Sequence, residues 1–322
     1  MYLRKWFVFI NENGNELNNK YIKKKMRKLF CVLVGLVLAN IGFGQNFQKE
    51  FNKYFDAGDT LKQREILAEW EKSNPQDPEL FTSYFNYFFQ KASKEIISLT
   101  TKEPKGEMLV ITDSLGNIVG YMGSEITYFE ELIQQGLNKI DEGIALYPNR
   151  LDMRFGKIYV LGQVEEWQQF TDEIVKAVQY SKINKNQWTW TNNEKRTDGE
   201  DFFLSSLQDY QLDLYNTEDD DLLPNMQTIA NEILKIYPKH IESLSNLAIT
   251  YLLTGQYDKG IEALLKAEKI NPKDCVVLSN IAHGYKLQGD KQNAVKYYEK
   301  VVKYGDEEDI QYAKQQIEEL KK

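Results

Sequence analysis

Cysteine, histidine and proline are scarce in this chain, and each shortage excludes a kind of protein. Two cysteines and two histidines among 322 residues leave too few ligands for the usual zinc sites. Cys31 and Cys275 are too few for a disulfide framework. Seven prolines and 19 glycines interrupt the chain rarely, which favours long helices over many short strands.

The chain also lacks the short motifs of common catalytic and nucleotide-binding sites. It contains no G-x-x-x-x-G-K-[ST], H-E-x-x-H, G-x-S-x-G or C-x-x-C. The acidic run at 218–221 has no Gly and no alternating Asp/Asn pattern, so it indicates a solvated loop instead of a calcium site. We therefore predict that the protein is not an enzyme and uses no cofactor or metal.

An apolar run near the amino terminus is too short for a typical membrane span. Residues 29–41 form 13 apolar positions, where a spanning helix needs about 20. A basic cluster precedes the run and Gly42-Phe43-Gly44 follows it, the pattern of a secretory signal cleaved before Gln45. The alternative is an uncleaved anchor. We interpret residues 1–25 as an upstream extension, Met26 as the start, and 26–44 as the signal peptide of a periplasmic or secreted protein.

The chain that remains after such cleavage is strongly acidic. Residues 45–322 hold 32 basic and 46 acidic residues, a net charge of −14. Negative charge repels phosphate backbones and anionic lipid surfaces, so neither nucleic acid nor a membrane surface is expected as a partner. Cys31 would be removed with the signal, leaving Cys275 as a single thiol.

An internal period of 34 residues is the clearest pattern in the chain. Residues 241–274 and 275–308 align without a gap, and their shared positions include Leu244, Leu247, Ala248, Tyr251 and Gly255, which match Leu278, Ile281, Ala282, Tyr285 and Gly289. Spacings of three and four place the apolar members on one helix face. Each of the two glycines is predicted to end a helix at a positive φ.

The second half of each period predicts an antiparallel partner helix. Gly260, Leu264 and Ala267 form its facing stripe, and the small residues Ala248 and Gly260 would let the two backbones approach closely. Pro272 then ends the unit.

These residues resemble the tetratricopeptide repeat (TPR) family, whose repeat has a Leu-Ala or Leu-Gly pair, a Tyr three residues later, a turn Gly, a small residue and a terminal Pro. The resemblance implies an all-α fold, an α-α superhelix of about five to six helix pairs over residues 45–322. Residues 44–77 and 151–181 read as weaker repeats, 202–215 and 224–237 as a further pair, and 309–322 as a capping helix.

Two segments fall outside the repeat pattern. An insertion around 93–124 contains two β-favouring runs separated by an Asp/Gly/Asn turn, which predicts a β-hairpin near 107–122 that must pack on a helix or a partner. After this hairpin, the sequence predicts a helix from Thr127 to Tyr147. A polar loop at 184–201 carries Trp188 and Trp190, which either clamp the loop to the helices or stack on a sugar.

The resemblance implies a protein–protein interaction scaffold that binds a partner segment in a concave groove lined by first helices. Carried over position by position, the groove residues are Glu242, Ser245, Ile249 and Leu252, with Val276, Ser279, His283 and Lys286 as their counterparts. His283 is expected to face outward. Two alternatives remain open: a carbohydrate-binding or enzymatic accessory protein that uses the 184–201 loop, and a structural subunit of a larger envelope complex. The partner's identity and the oligomeric state are not determined by the sequence.

Overall fold

The computed structural model describes residues 43–101 and 108–322, and the described chain divides into two compact units. The amino-terminal unit contains the described residues up to Val164 together with Trp188–Lys195. The carboxy-terminal unit contains Glu165–Gln187 and Arg196–Lys322. The predicted extension and signal peptide lie outside the described residues, except that residues 43 and 44 begin the first helix.

Helices dominate both units. In the amino-terminal unit they are α1 (Phe43–Asp56), α2 (Thr60–Ser73), α3 (Pro78–Ala92), α4 (Glu130–Leu146) and α5 (Leu151–Gln163). In the carboxy-terminal unit they are α6 (Trp167–Asn184), α7 (Gly199–Asn216), α8 (Leu223–Ile236), α9 (Ile241–Leu253), α10 (Tyr257–Ile270), α11 (Cys275–Gln288), α12 (Lys291–Tyr304) and α13 (Glu307–Lys321). The all-α, TPR-type fold with a β insertion is confirmed.

The amino-terminal unit packs α1 against α2, and α3 against α4. Phe51, Leu67, Trp70 and Leu80 form a buried core shared by α1, α2 and α3. Glycines on α4 let α3 approach, since a Cβ at Gly143 would lie only 2.8 Å from the Cβ of Phe81.

The insertion forms a three-stranded antiparallel sheet and not the two-stranded hairpin that the sequence predicts. The strands are β1 (Ser93–Thr100), β2 (Met108–Thr112) and β3 (Ile118–Tyr128), in the order β1-β3-β2. The expected hairpin corresponds to β2 and β3, whose turn is held by Asp113 Oδ1, which accepts from the backbone N–H groups of Leu115 and Asn117. β1 continues directly from α3, so no turn residue marks its start. Because β3 extends to Tyr128, the next helix begins at Glu130 and not at Thr127.

In the carboxy-terminal unit, α9 packs on α10 and α11 packs on α12, as the 34-residue period predicts. The predicted capping helix is present as α13, which packs on α12. α8 packs mainly on α6 and α9, and more weakly on α7. Asn225 Nδ2 of α8 donates to Thr171 Oγ1 of α6 at 2.8 Å.

Four inter-helix turns share one backbone geometry. Gly58, Gly255 and Gly289 have positive φ values of 68°, 74° and 86°, as predicted for the last two. In each, the residue after the glycine donates its N–H to the carbonyl of a Tyr five residues before it; the distance from Asp290 N to Tyr285 O, for example, is 2.9 Å. The turn before α6 places Glu165 at the corresponding position, with φ 59°. The left-handed region strains a residue with a side chain there.

A search of the described residues for membrane-spanning helices finds none that is long and apolar enough to cross a bilayer.

We expect Glu165→Gly to stabilise the protein by about 1 kcal/mol, because glycine adopts a left-handed backbone without the Cβ clash. The melting temperature should rise by about 2 °C for a chain of this size. Glu166→Gly is the matched control, since Glu166 is also exposed but has φ −79°. If Glu166→Gly raised the melting temperature as much as Glu165→Gly, the backbone strain inferred at Glu165 would be contradicted.

Candidate functional site

The structure leaves only part of the predicted groove accessible. Glu242 and Val276 are exposed, and Ser245 and Ile249 are half-buried. In contrast, Leu252, Ser279 and His283 are 0%, 2% and 4% exposed. These three residues cannot contact a partner in this arrangement, and the expected outward direction of His283 is wrong.

Leu252 is buried because it belongs to the helix packing. A Cβ built on Gly260 of α10 would lie 2.7 Å from Leu252 Cδ2, and one built on Gly284 of α11 would lie 3.4 Å from the same atom. Leu252 therefore fills the space where α9, α10 and α11 meet. The predicted close approach of Ala248 and Gly260 is present, because the Gly260 Cβ position is 3.1 Å from the Ala248 carbonyl oxygen.

Ser279 and His283 are buried because α11 is an interior helix. It packs against α9, α10 and α12. The predicted groove residue Lys286 binds α13, with Nζ 2.7 Å from Gln316 Oε1 and 3.2 Å from Glu319 Oε2. A helix with neighbours on several sides keeps little exposed surface. On α11, residues 277–284 are buried, and exposure is limited to the two ends, at Val276 and Gln288.

The accessible stripe on α9 begins at a capped helix end. His240 Nδ1 accepts from the backbone N–H of Ser243, and His240 Nε2 lies 3.2 Å from Glu242 Oε2. Asn246 exchanges two hydrogen bonds with Gln208 of α7, the shorter being 2.6 Å. Asn246 is thus engaged inside the unit, and on this stripe Glu242, Ser245 and Ile249 remain accessible.

Two titratable groups of the repeats, Cys275 and His283, have pKa values that favour their uncharged forms. Burial raises the pKa of the Cys275 thiol, and the carboxylates of Asp309, Asp274 and Asp306 raise it further, so the reactive thiolate is disfavoured. Burial lowers the pKa of His283 to about 4, with Lys286 acting in the same direction. Within the described ranges, no group of three or more His, Cys, Asp or Glu side chains could hold a metal ion.

A buried charge cluster in the amino-terminal unit holds the part of the tryptophan loop that lies in this unit, Trp188–Lys195, and no sequence motif predicts it. The Arg150 guanidinium, 1% exposed, binds two carboxylates: Nη1 is 2.6 Å from Glu79 Oε1, and Nη2 is 2.7 Å from Asp152 Oδ2. The loop completes the cluster, because the Asn192 N–H donates to Glu79 Oε1 at 2.8 Å and the Leu151 N–H donates to the Thr189 carbonyl at 3.0 Å.

The cluster sets one guanidinium against two carboxyl groups in a buried place. Burial raises the pKa of Glu79, although Arg150 acts against that shift. Burial alone would lower the pKa of Arg150, yet the carboxyl groups of Asp152 and Glu79 together raise it. The arrangement positions the loop and leaves the guanidinium enclosed at 1% exposure.

The tryptophans of the loop act as a clamp. Trp188 is 0% exposed, so it cannot stack on a sugar, and the carbohydrate hypothesis loses its main contact residue. Trp190 is half-buried and meets the Phe155 ring edge-on, with centroids 6.4 Å apart.

A cleft in the amino-terminal unit is a second candidate binding surface, and no sequence motif predicts it. It has a volume of about 450 Å³ and lies between α2, α3 and α4, with Pro75, Leu80 and Leu146 among its apolar lining residues. Its polar groups bind each other: Tyr84 Oη is 2.8 Å from Glu71, and Lys139 Nζ is 3.4 Å from the same carboxylate. Burial raises the pKa of Tyr84, so the phenol stays protonated.

Family models identify the repeats. Two models, both described as tetratricopeptide repeat, match residues 229–262 and 277–304. The first runs from α8 into α10, and the second covers most of α11 and α12. The chain is thus a tetratricopeptide repeat protein in its carboxy-terminal unit, where the residue pattern is clearest. No curated protein matches the chain.

Solved structures of TPR proteins are similar at low identity. YrrB, described as a TPR protein with an unusual peptide-binding site, is 12% identical, with 77% of this chain and 97% of that chain covered and a TM-score of 0.38. A tetratricopeptide repeat protein from Parabacteroides merdae is 12% identical, with 86% and 90% covered and a TM-score of 0.35. PilW, described as a type IV pilus biogenesis factor, is 11% identical, with 85% and 99% covered and a TM-score of 0.37.

We expect Arg150→Met to destabilise the amino-terminal unit by about 3–5 kcal/mol, because two buried carboxylates would lose their cation. Trypsin should then cut faster at Lys195, since the loop would lose its anchor. Arg196→Met is the control: its Nη2 bridges Asp198 at 2.8 Å near the surface, and such pairs contribute about 0–1 kcal/mol. Equal effects of the two variants would contradict the role of the buried cluster.

We expect His283 to make stability pH-dependent. Its pKa is about 4 in the folded protein against an ordinary 6.5, so the unfolded chain takes up the proton first as pH falls. Stability is complete above pH 6.5 and should fall by up to about 3 kcal/mol as pH approaches 4. Urea unfolding at several pH values should show a smaller loss for His283→Gln than for the parent. If the free energy of unfolding falls equally with pH in His283→Gln and in the parent, His283 is not the group responsible.

Proposed function

We propose that this protein is an exported, non-enzymatic scaffold of the cell envelope. Its TPR repeats would hold a segment of a partner protein. The observation that carries the proposal is the stripe on α9, where Glu242, Ser245 and Ile249 stay accessible although the equivalent stripe on α11 is largely buried. Val276 extends the same surface onto α11.

The partner segment that suits this surface has apolar character with a basic group near one end. Ile249 offers a half-buried aliphatic contact, and Glu242, 55% exposed in its side chain, offers a carboxylate near the amino-terminal end of α9. A Lys or Arg of the partner would satisfy that carboxylate and displace its contact with His240. This surface replaces the eight-residue groove expected from the repeat pattern.

Export is supported by the residue pattern around the apolar run at 29–41, which precedes the first described helix. To test export, the intact gene is expressed in its host and the amino terminus of the extracytoplasmic protein is sequenced. We expect a terminus at Gln45, and a Met26→Leu change that abolishes the product would support Met26 as the start. A product that stays in the cytoplasm would contradict the proposal.

We expect Glu242→Lys to weaken partner binding at least tenfold, because it would set two positive charges against each other. The measurement is quantitative capture from envelope extract, with proteins cross-linked to the parent identified first. The control is Glu262→Lys on α10, an equal charge change at a side chain 68% exposed. Loss of capture by both variants, or by neither, would show that the α9 stripe is not the binding surface.

A further inference from the structure

The three-stranded sheet of the amino-terminal unit has an apolar face that the described residues leave exposed. Cross-strand register places Leu99, Met122 and Leu109 side by side, since Leu99 and Leu109 both pair with Met122. Strand alternation adds residues two positions away to the same side. The apolar face is therefore formed by Ile97, Leu99, Leu109, Ile111, Met122 and Ile126.

Exposure along this face is unusually high for large aliphatic side chains. Ile97 is 78% exposed, Leu99 72%, Leu109 62% and Ile126 58%. With about 100 Å² of apolar surface for a well-exposed aliphatic side chain, the face presents on the order of 500 Å². A typical monomer has a largest apolar patch of about 300–600 Å², so this face is at the upper end.

The small sheet also needs a cover for its own stability. A lone hairpin is marginal in water, and a small sheet becomes stable when it has at least three strands with a hydrophobic face or packs on a helix. Here β1 and β2 are both edge strands, and on this face the central strand places Gly120, which adds no apolar surface, beside Ile111. A partner that covers the face would supply the missing packing.

We propose that the occupant is the same face of a second copy, in a two-fold dimer of stacked sheets. Two such faces would bury on the order of 1,000 Å², which is the threshold for a biological interface and fits a weak, reversible dimer. An anionic membrane surface is disfavoured as the occupant, because the chain as a whole has a net charge of −8. The six residues of the face carry no charge, so burial of apolar surface is what would hold two copies together.

The two-fold arrangement follows from this self-complementarity. An isologous interface sets each patch against its own copy, so apolar residues meet apolar residues without like charges at the centre. Antiparallel sheets stack at about 10 Å with their inner side chains interdigitated. Glu95 is the one charged side chain on this side of β1, near its start, where it would lie at the rim.

Sedimentation of the full chain at concentrations from 1 to 100 μM tests the dimer. An interface of this size is expected to have a dissociation constant of about this magnitude. We expect a reversible monomer–dimer equilibrium. Leu109→Glu should raise the dissociation constant at least tenfold, because it would bury a charge in both copies. Val110→Glu is the matched control: it is the next residue, 52% exposed, and points to the opposite face.

A parent chain that remains monomeric at 100 μM would overturn the proposal. An equal rise in the dissociation constant for Leu109→Glu and Val110→Glu would also overturn it. That result would indicate a dimer that pairs through a strand edge, where neighbouring residues are affected alike. A dimer that Leu109→Glu leaves unchanged would assign the interface elsewhere. As an independent readout, Leu99→Cys in a Cys31→Ser, Cys275→Ser background should be cross-linked between protomers by a bismaleimide whose spacer spans about 10 Å, the separation of stacked sheets. Cross-linking no faster than that of Glu262→Cys in the same background, while the dimer persists, would reject face-to-face stacking.

Discussion

The repeat region depends on apolar side chains that are shared between helices, and Leu252 packs where three helices meet. It lies against the Gly260 position of its own partner helix and the Gly284 position of the next repeat. No helix pair in such an array can bury its apolar surface alone, so each repeat needs a neighbour. The array therefore requires an end piece, which α13 supplies against α12.

This sharing also determines which positions of the repeats stay accessible. Positions that would be exposed in a single helix pair become buried once the neighbouring helices are added, as Ser279 and His283 are. Among the predicted groove positions, the accessible ones lie mainly on α9, because α11 is enclosed by its neighbours. The accessible surface thus depends on the number of repeats as much as on their residues.

The 34-residue period predicts α9–α12 and their turns, because local spacing and turn glycines carry that information, and the apolar face of 309–322 predicts α13. The period could not predict which groove positions are covered, since the burial of His283 depends on how α9, α10 and α12 pack around α11. The charge cluster was missed for the same reason: Glu79 and Arg150 are 71 residues apart and meet only in the fold. β1 was missed because it continues from α3 without a turn signal.

The path of the loop at 188–195 has a consequence for the order of folding. The chain leaves the amino-terminal unit after Val164, forms α6 in the other unit, and returns for eight residues. Until these residues have been synthesised, Glu79 lacks its Asn192 donor and the pocket for Trp188 is empty. During vectorial synthesis or translocation, the first unit must wait for about 30 residues beyond its last helix. A chaperone acting in that interval would meet an incomplete core that the finished protein never exposes.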